Sequence, residues 1–356
     1  MGSDGMLAAR LYGKGDLRVE RMPAPRIGDG ELLLRVKAAA VCGTDLRMLI
    51  NGASGADPSH PLVLAHEFAG TIERAGAGVT GFCEGQRVSV APNIGCGVCD
   101  FCVAGNSHHC RDMTAIGITT DGGFAEFVRI PAAAVRLGNV APLGPNTGFA
   151  EAAACEALAC VYNAFERYCV RPGDTVLVIG AGAIGLMHAK LALMAGAAKV
   201  IINDLSDERL RECSNIEPDV LTVGSGLDAV MEMAAKGRGA DVVITACSAA
   251  AAQQAAFSYA AVDGRVNFFG GLPRGAERVE LDTNMIHYKQ LTVTGTTRSS
   301  LRQYRAALSL VENGLIDLDP LITHRFRLED VHQAFDNASR AIGLKQAVIF
   351  GEDCEH

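Results

Sequence analysis

The chain is predicted to be an α/β protein of two modules, one β-rich and one built on a doubly wound parallel sheet. Three observations predict this. Up to about residue 140 it runs in short strand-like segments, such as ELLLRVKAAAV and GFAEFVRIP, separated by Gly, Pro and Asp. From about residue 170 buried strands alternate with helical segments, the pattern of βαβ units. The length, 356 residues, suits two domains.

The elements of the second module follow in order. DTVLVIG is a buried strand, AIGLMHAKLALMAGA a helix, KVIIND a second strand and DERLRECSNI a second helix. ADVVITA, AAAQQAAFSYA and GRVNFFG continue as strand, helix and strand. After about residue 295 comes a helix, LRQYRAALSLVENG, then strand-like THRFRL and KQAVIF, which are expected to pair back onto the β-rich module. The expected boundaries are residues 1–152 with 296–356 for the β-rich domain, including a cysteine lobe at 92–111, and 153–295 for the parallel-sheet domain. The opening MGSDG reads as an addition ahead of a natural start at Met6.

Apolar residues make up 49% and charged residues 20%, which suits a globular protein with sizeable cores. A net charge of −8 without a basic cluster argues against nucleic acid or an anionic membrane as partner. No apolar run reaches the roughly 18 residues of a membrane span, and no secretory signal pattern opens the chain. Twelve cysteines without an export signal point to metal binding or burial rather than disulfides, and to a cytoplasmic location.

VLVIGAGAIG places Gly180, Gly182 and Gly185 in G-x-G-x-x-G spacing, with Ala183 and Ile184 between the last two. The motif follows a strand and opens a helix, the context that gives it meaning. The glycines allow a tight turn, close approach of a pyrophosphate, and close helix–strand packing, while the helix N-terminus supplies free N–H groups. Asp204, 24 residues after Gly180, ends the second strand. A carboxylate there accepts hydrogen bonds from ribose hydroxyls and repels a 2′-phosphate, so a Rossmann domain binding NAD is expected. Arg209 joins the candidate cofactor-binding set.

CGVCDFCVAGNSHHC sets Cys96, Cys99, Cys102 and Cys110 as C-x2-C-x2-C-x7-C. Four thiolates in a short loop match a closed tetrahedral zinc site that orders the loop. A redox C-x-x-C pair would leave two cysteines over, and an iron–sulfur cluster is chemically possible. His108 and His109 are expected to face solvent.

Two further stretches carry donors. CGTD begins at Cys42, and AHEFAG contains His66 and Glu67. Cys and His suit zinc, and Glu67 is a further ligand or an orienting partner. Alone, each has an ordinary explanation as a buried thiol or a core histidine. CEALAC adds Cys155, Glu156 and Cys160. Helical geometry lets only one of the neighbours Cys155 and Glu156 face a given site.

The order CGTD, HE, four-cysteine lobe, GAGAIG resembles the zinc-dependent medium-chain dehydrogenases over essentially the whole chain, in their sorbitol- and polyol-dehydrogenase-like branch. IHYKQLTVTGTTR and PLITHRFRLEDVHQAFD resemble that family's C-terminal third. The resemblance implies a GroES-like β catalytic domain with a Rossmann domain inserted. It implies two zinc ions per chain, one catalytic and one structural, and an assembly of two or four copies.

Cys42 and His66 match the catalytic zinc ligands, and Glu67 and Glu156 match the glutamates of the polyol-like branch. Glu156 is favoured over Cys155, although Ala157 stands where a proline usually follows. Arg298 matches an arginine of the polyol-type site, with Ser299 where an aromatic residue is frequent. Thr44 matches the first group of a proton relay, and Arg47 stands where many relatives have a histidine. The implied reaction is reversible hydride transfer between a secondary alcohol (a polyol, cyclitol or sugar alcohol) and NAD. A threonine 3-dehydrogenase-like enzyme is the alternative in the same class. A nucleotide-binding regulatory or structural protein without turnover is the alternative outside it.

Overall fold

A computed structural model describes residues 5–351. The remainder of the opening MGSDG lies outside the described residues. The chain forms two compact units. One runs to Ala159 and resumes at Ser299, and the other is Cys160–Arg298.

In the first unit the strand Leu32–Ala40 is the organiser. It pairs antiparallel with Glu67–Ala75, with Phe127–Ile130 and with Gln346–Ile349. Leu32, Leu33 and Leu34 are consecutive and all buried, because this strand is covered on both faces. The sheet runs Val140–Pro142, Arg87–Val90, Glu67–Ala75, Leu32–Ala40, Gln346–Ile349, His324–Phe326. A smaller sheet holds Met6–Gly13 between Asp16–Met22 and Leu62–Val63. Phe68, Ile72, Val88, Phe124 and Ile130 fill the core between them. The late segments therefore return to the first module as expected. Their register sets Ala40 opposite Glu67 on one side and opposite Ala347 on the other.

The second unit carries six strands, all parallel, in the order Leu221–Val223, Lys199–Asn203, Thr175–Ile179, Ala240–Thr245, Ala260–Phe268, Thr292–Gly295. Numbered along the chain this is 3-2-1-4-5-6, the doubly wound Rossmann order. Thr175–Ile179 lies near the middle and is buried throughout, hence its unbroken apolar run.

The units meet at Ala159 and Cys160, inside the helix Phe149–Tyr168 that also contains the expected boundary at 152/153. Its small, mostly buried residues continue the same pattern across the junction, so the sequence carries no break there. No helix among the described residues is long and apolar enough to cross a membrane.

Candidate functional site

The site in the first unit is built at the end of the central strand. Cys42 caps the helix Gly43–Asn51 with extended backbone angles. Asp45, in the first turn of that helix, is fully buried. Its Oδ2 accepts the Cys42 backbone N–H at 2.9 Å and its Oδ1 accepts that of Ala65 at 3.3 Å. One carboxylate thus ties together the two segments that carry Cys42 and His66. Ala65 adopts φ +74°, a left-handed conformation that costs alanine about 1 kcal/mol or more. The turn it makes delivers His66 and Glu67 to the start of the strand Glu67–Ala75.

Donor atoms of Cys42, His66 and Glu67 all lie within 4.8 Å of one another. Glu156 Oε2 is 4.0 Å from His66 Nε2, and Asp45 Oδ1 is 3.7 Å from His66 Nδ1. Glu156 is therefore the member of the Cys155–Glu156 pair that faces this cluster. Cys155 is fully buried, and that burial, with Glu151 and Glu312 nearby, pushes its thiol well above its ordinary range.

Buried Lys345 completes the arrangement: its Nζ lies 2.8 Å from Glu67 Oε1 and 2.6 Å from Oε2. Burial opposes the ammonium charge, but Glu67 and Cys42 hold it above the usual lysine range. Burial likewise opposes charge on His66, yet Cys42 and Asp45 outweigh it and lift the imidazole well above its ordinary value. The protein's own groups thus call for more positive charge than Lys345 supplies. A thiolate, an imidazole and carboxylates are donors zinc accepts, and the fit is good.

The four-cysteine lobe is equally explicit. Sulfur atoms of Cys96, Cys99, Cys102 and Cys110 lie within 4.8 Å of one another. The Cys99 N–H donates to Cys96 Sγ and the Cys96 N–H to Cys110 Sγ, each at 3.3 Å. Backbone N–H groups of Val98 and Cys99 bring the Cys96 thiol down to about 7, while burial lifts Cys102 to about 12. Four converging sulfurs with N–H support fit a structural zinc. His108 departs from expectation: it is buried, with its ring centroid 3.9 Å from that of exposed His109. The lobe folds back over it, which an i, i+1 histidine pair does not reveal.

In the second unit, Gly180 follows Thr175–Ile179 at φ +122° and Gly182 caps the helix Ala183–Met194. A Cβ on Gly185 would stand 1.8 Å from the Gly180 carbonyl oxygen, so only glycine lets this helix pack so close. Space over Gly182 is open except for Arg209 Nη1, 3.9 Å from where its Cβ would stand. Asp204 Oδ2 accepts the Ala181 N–H at 2.7 Å and Oδ1 accepts the Ser206 N–H at 2.9 Å. The carboxylate therefore also braces the glycine turn. Ala183 and Ile184 open the helix whose free N–H groups point at this turn.

Residues 28–139 match the alcohol dehydrogenase GroES-like domain, and residues 183–313 the zinc-binding dehydrogenase domain. An L-threonine 3-dehydrogenase of Rhizobium etli (strain CIAT 652) is 33% identical over 93% of this chain and 95% of its own length. The chain belongs to the zinc-dependent medium-chain dehydrogenase family. A sorbitol dehydrogenase of Bombyx mori is 32% identical over 95% of this chain and 97% of its own. A zinc-binding dehydrogenase from Sinorhizobium meliloti 1021, solved with NADP, superposes with a TM-score of 0.87 at 33% identity, covering 97% of this chain and 99% of that one.

As a member of this family, the chain is an enzyme of the zinc-dependent alcohol dehydrogenase type with a GroES-like and a Rossmann-type domain. Thr44 lies two residues past Cys42, and its Oγ1 accepts a hydrogen bond from Arg47 Nη2 at 2.7 Å. Arg298 closes the second unit at φ +58°, its carbonyl held by Asn163 Nδ2 at 2.9 Å. Two groups of the Cys42–His66–Glu67 cluster were not anticipated from the sequence. Asp45 stood in plain view in CGTD, and its spacing as third residue after the helix cap was the available signal. Lys345 gave none.

Proposed function

We propose that this dehydrogenase transfers hydride between a secondary alcohol of the polyol, cyclitol or sugar-alcohol class and NAD, with one catalytic and one structural zinc per chain. The observation that carries the reading is Glu156 beside His66, with Glu67 next to it. Two carboxylates beside a thiol and an imidazole give the oxygen-containing zinc donor set that the polyol-like branch is expected to have.

Cys42 and His66, with Glu67 or Glu156, would hold the catalytic zinc, and Cys96, Cys99, Cys102 and Cys110 the structural one. When bound, zinc supplies a Lewis acid that acidifies the alcohol, and NAD supplies the hydride acceptor. Asp45 fixes Cys42 through its backbone and faces His66 Nδ1, the role of a carboxylate that orients a ligating imidazole. Thr44 Oγ1 receives a hydrogen bond from Arg47 and keeps a second lone pair to accept the substrate's hydroxyl proton and its own proton to pass onward. Arg47 cannot take up a proton at neutral pH. The proton released on oxidation therefore cannot end on Arg47 and leaves by another group.

Gly180, Gly182, Ala183, Ile184 and Gly185 form the pyrophosphate turn, with Arg209 as a cation beside it. Asp204 uses one lone pair on each oxygen for backbone N–H groups and keeps others for ribose hydroxyls. Its charge opposes a 2′-phosphate, which supports NAD over NADP. For Arg298 the family resemblance alone supports a role toward the substrate alcohol. The edge strand Thr292–Gly295 is largely exposed and borders Tyr288, 78% exposed, which supports a homodimer or homotetramer joined along that edge. The free state of every described cysteine supports a cytoplasmic location.

The test is metal analysis with a panel of polyols, cyclitols and L-threonine, each with NAD and with NADP. Two zinc ions per chain and NADH formation from a polyol are expected. Cofactor-induced stabilisation with no alcohol oxidised at any pH overturns the enzyme reading. Oxidation of L-threonine is the second reading, favoured by the 33% identity to the Rhizobium etli protein, and turnover exceeding that of every polyol establishes it.

A further inference from the structure

Burying an ion pair is a poor way to stabilise a fold, because desolvation offsets the attraction and apolar replacements often do as well or better. The Lys345–Glu67 pair is nonetheless almost completely buried, and it sits inside the candidate metal cluster. Its lysine is rigidly placed. The neighbouring Gln346 carbonyl accepts the Val41 N–H at 2.9 Å, one residue before Cys42, and the Lys345 carbonyl accepts from the His324 N–H and the Thr323 hydroxyl. Both Glu67 oxygens face the ammonium, at 2.8 and 2.6 Å, while an oxygen of the same carboxylate is within 4.8 Å of the Cys42 and His66 donors. Glu67 therefore has two suitors for one charge.

We propose that Lys345 is a positioning residue that competes with the metal for Glu67 and so sets how many protein donors the metal keeps. The inference rests on the reading of the Cys42–His66–Glu67 cluster as a metal site. With Lys345 in place, Glu67 stays on the ammonium, and Cys42, His66 and Glu156 are the standing donors. Removing the ammonium releases Glu67 to the metal. The coordination number is then a property of a lysine that never touches the ion.

The test uses the full-length protein loaded with Co2+, whose visible absorption weakens as coordination rises above four. Lys345→Met is expected to weaken the visible bands and to tighten metal binding by about tenfold, the scale on which groups around ligands act. Lys345→Arg is expected to retain the wild-type spectrum. In a Glu67→Gln background, Lys345→Met is expected to leave affinity and spectrum unchanged. Glu67→Gln alone, which keeps Lys345, is expected to show the wild-type spectrum; this variant decides the matter even where Lys345→Met fails to fold.

A changed spectrum in Glu67→Gln overturns the proposal. So does an equal tightening by Lys345→Met with and without Glu67, which would mean a simple charge effect. A wild-type chain that takes up metal at the four cysteines alone overturns it as well. A chain that binds two metals and follows the expected pattern yet oxidises no alcohol leaves this inference standing and removes the dehydrogenase reading.

Discussion

Asp45→Asn offers a sharp test of how the site is held together. The substitution keeps size and shape but removes the charge and one of two acceptors. In the native arrangement Oδ2 accepts from Cys42 and Oδ1 from Ala65, at 2.9 and 3.3 Å, and the residue is fully buried. An amide offers one oxygen, so its NH2 must face one of those N–H groups. Losing a charge-assisted hydrogen bond costs about 1.5–3 kcal/mol, and leaving a buried donor unpaired costs about 1–3 more.

A destabilisation of roughly 3–5 kcal/mol follows, or a fall in Tm of about 6–20 °C for a domain of this size. Loss of the carboxylate facing His66 Nδ1 should also weaken metal binding by about 10- to 100-fold. Each tenfold lowers the metal's own contribution to stability by about 1.4 kcal/mol. Thermal melts with and without chelator, alongside metal analysis, separate the two effects. An Asp45→Asn protein with wild-type Tm and metal content would refute the account of Asp45 as the tie between the two ligand segments.

Replacing Glu156 with Gln should lower metal affinity or turnover by about tenfold or more, whereas Cys155→Ser, away from the cluster, should leave both near wild type; metal analysis and NADH formation distinguish them. Gly185→Ala should push the helix off the strand, since its Cβ meets the Gly180 carbonyl oxygen at 1.8 Å. A cost of about 1–3 kcal/mol is expected, with much weaker NAD binding by calorimetry. Arg47→His should add a base beside Thr44, giving a turnover rate that rises through about pH 6.5 where the wild type has no such step; a pH profile of kcat checks this.

What could be read in the sequence is what local sterics and local ligand spacing dictate. Gly180, Gly182 and Gly185 are legible because a side chain at Gly185 has nowhere to go. The four cysteines are legible because a closed metal site needs four donors in a short loop. The fold class followed from the alternation of strands and helices, and the return of the last strands onto the first module from the family resemblance. Lys345 was not legible. Its partner is 278 residues away, and only the register of Gln346–Ile349 against Leu32–Ala40 brings the two together. His108 illustrates the same limit on a smaller scale, because the fold of the lobe decides which of two adjacent histidines is covered.

That 278-residue separation has a consequence for how the protein is made. Contacts so distant along the chain are the slow ones, since a large loop must close before they form. During synthesis the amino-terminal strands emerge first, carrying Cys42, His66 and Glu67, while the segment that brings Lys345 is still untranslated. Until Gln346–Ile349 docks, Glu67 has no ammonium beside it. Under the proposed competition for Glu67, metal delivered to the nascent chain meets an unrestrained carboxylate, and metal delivered after docking meets one already claimed. That competition, as proposed, couples the timing of metal delivery to completion of the chain.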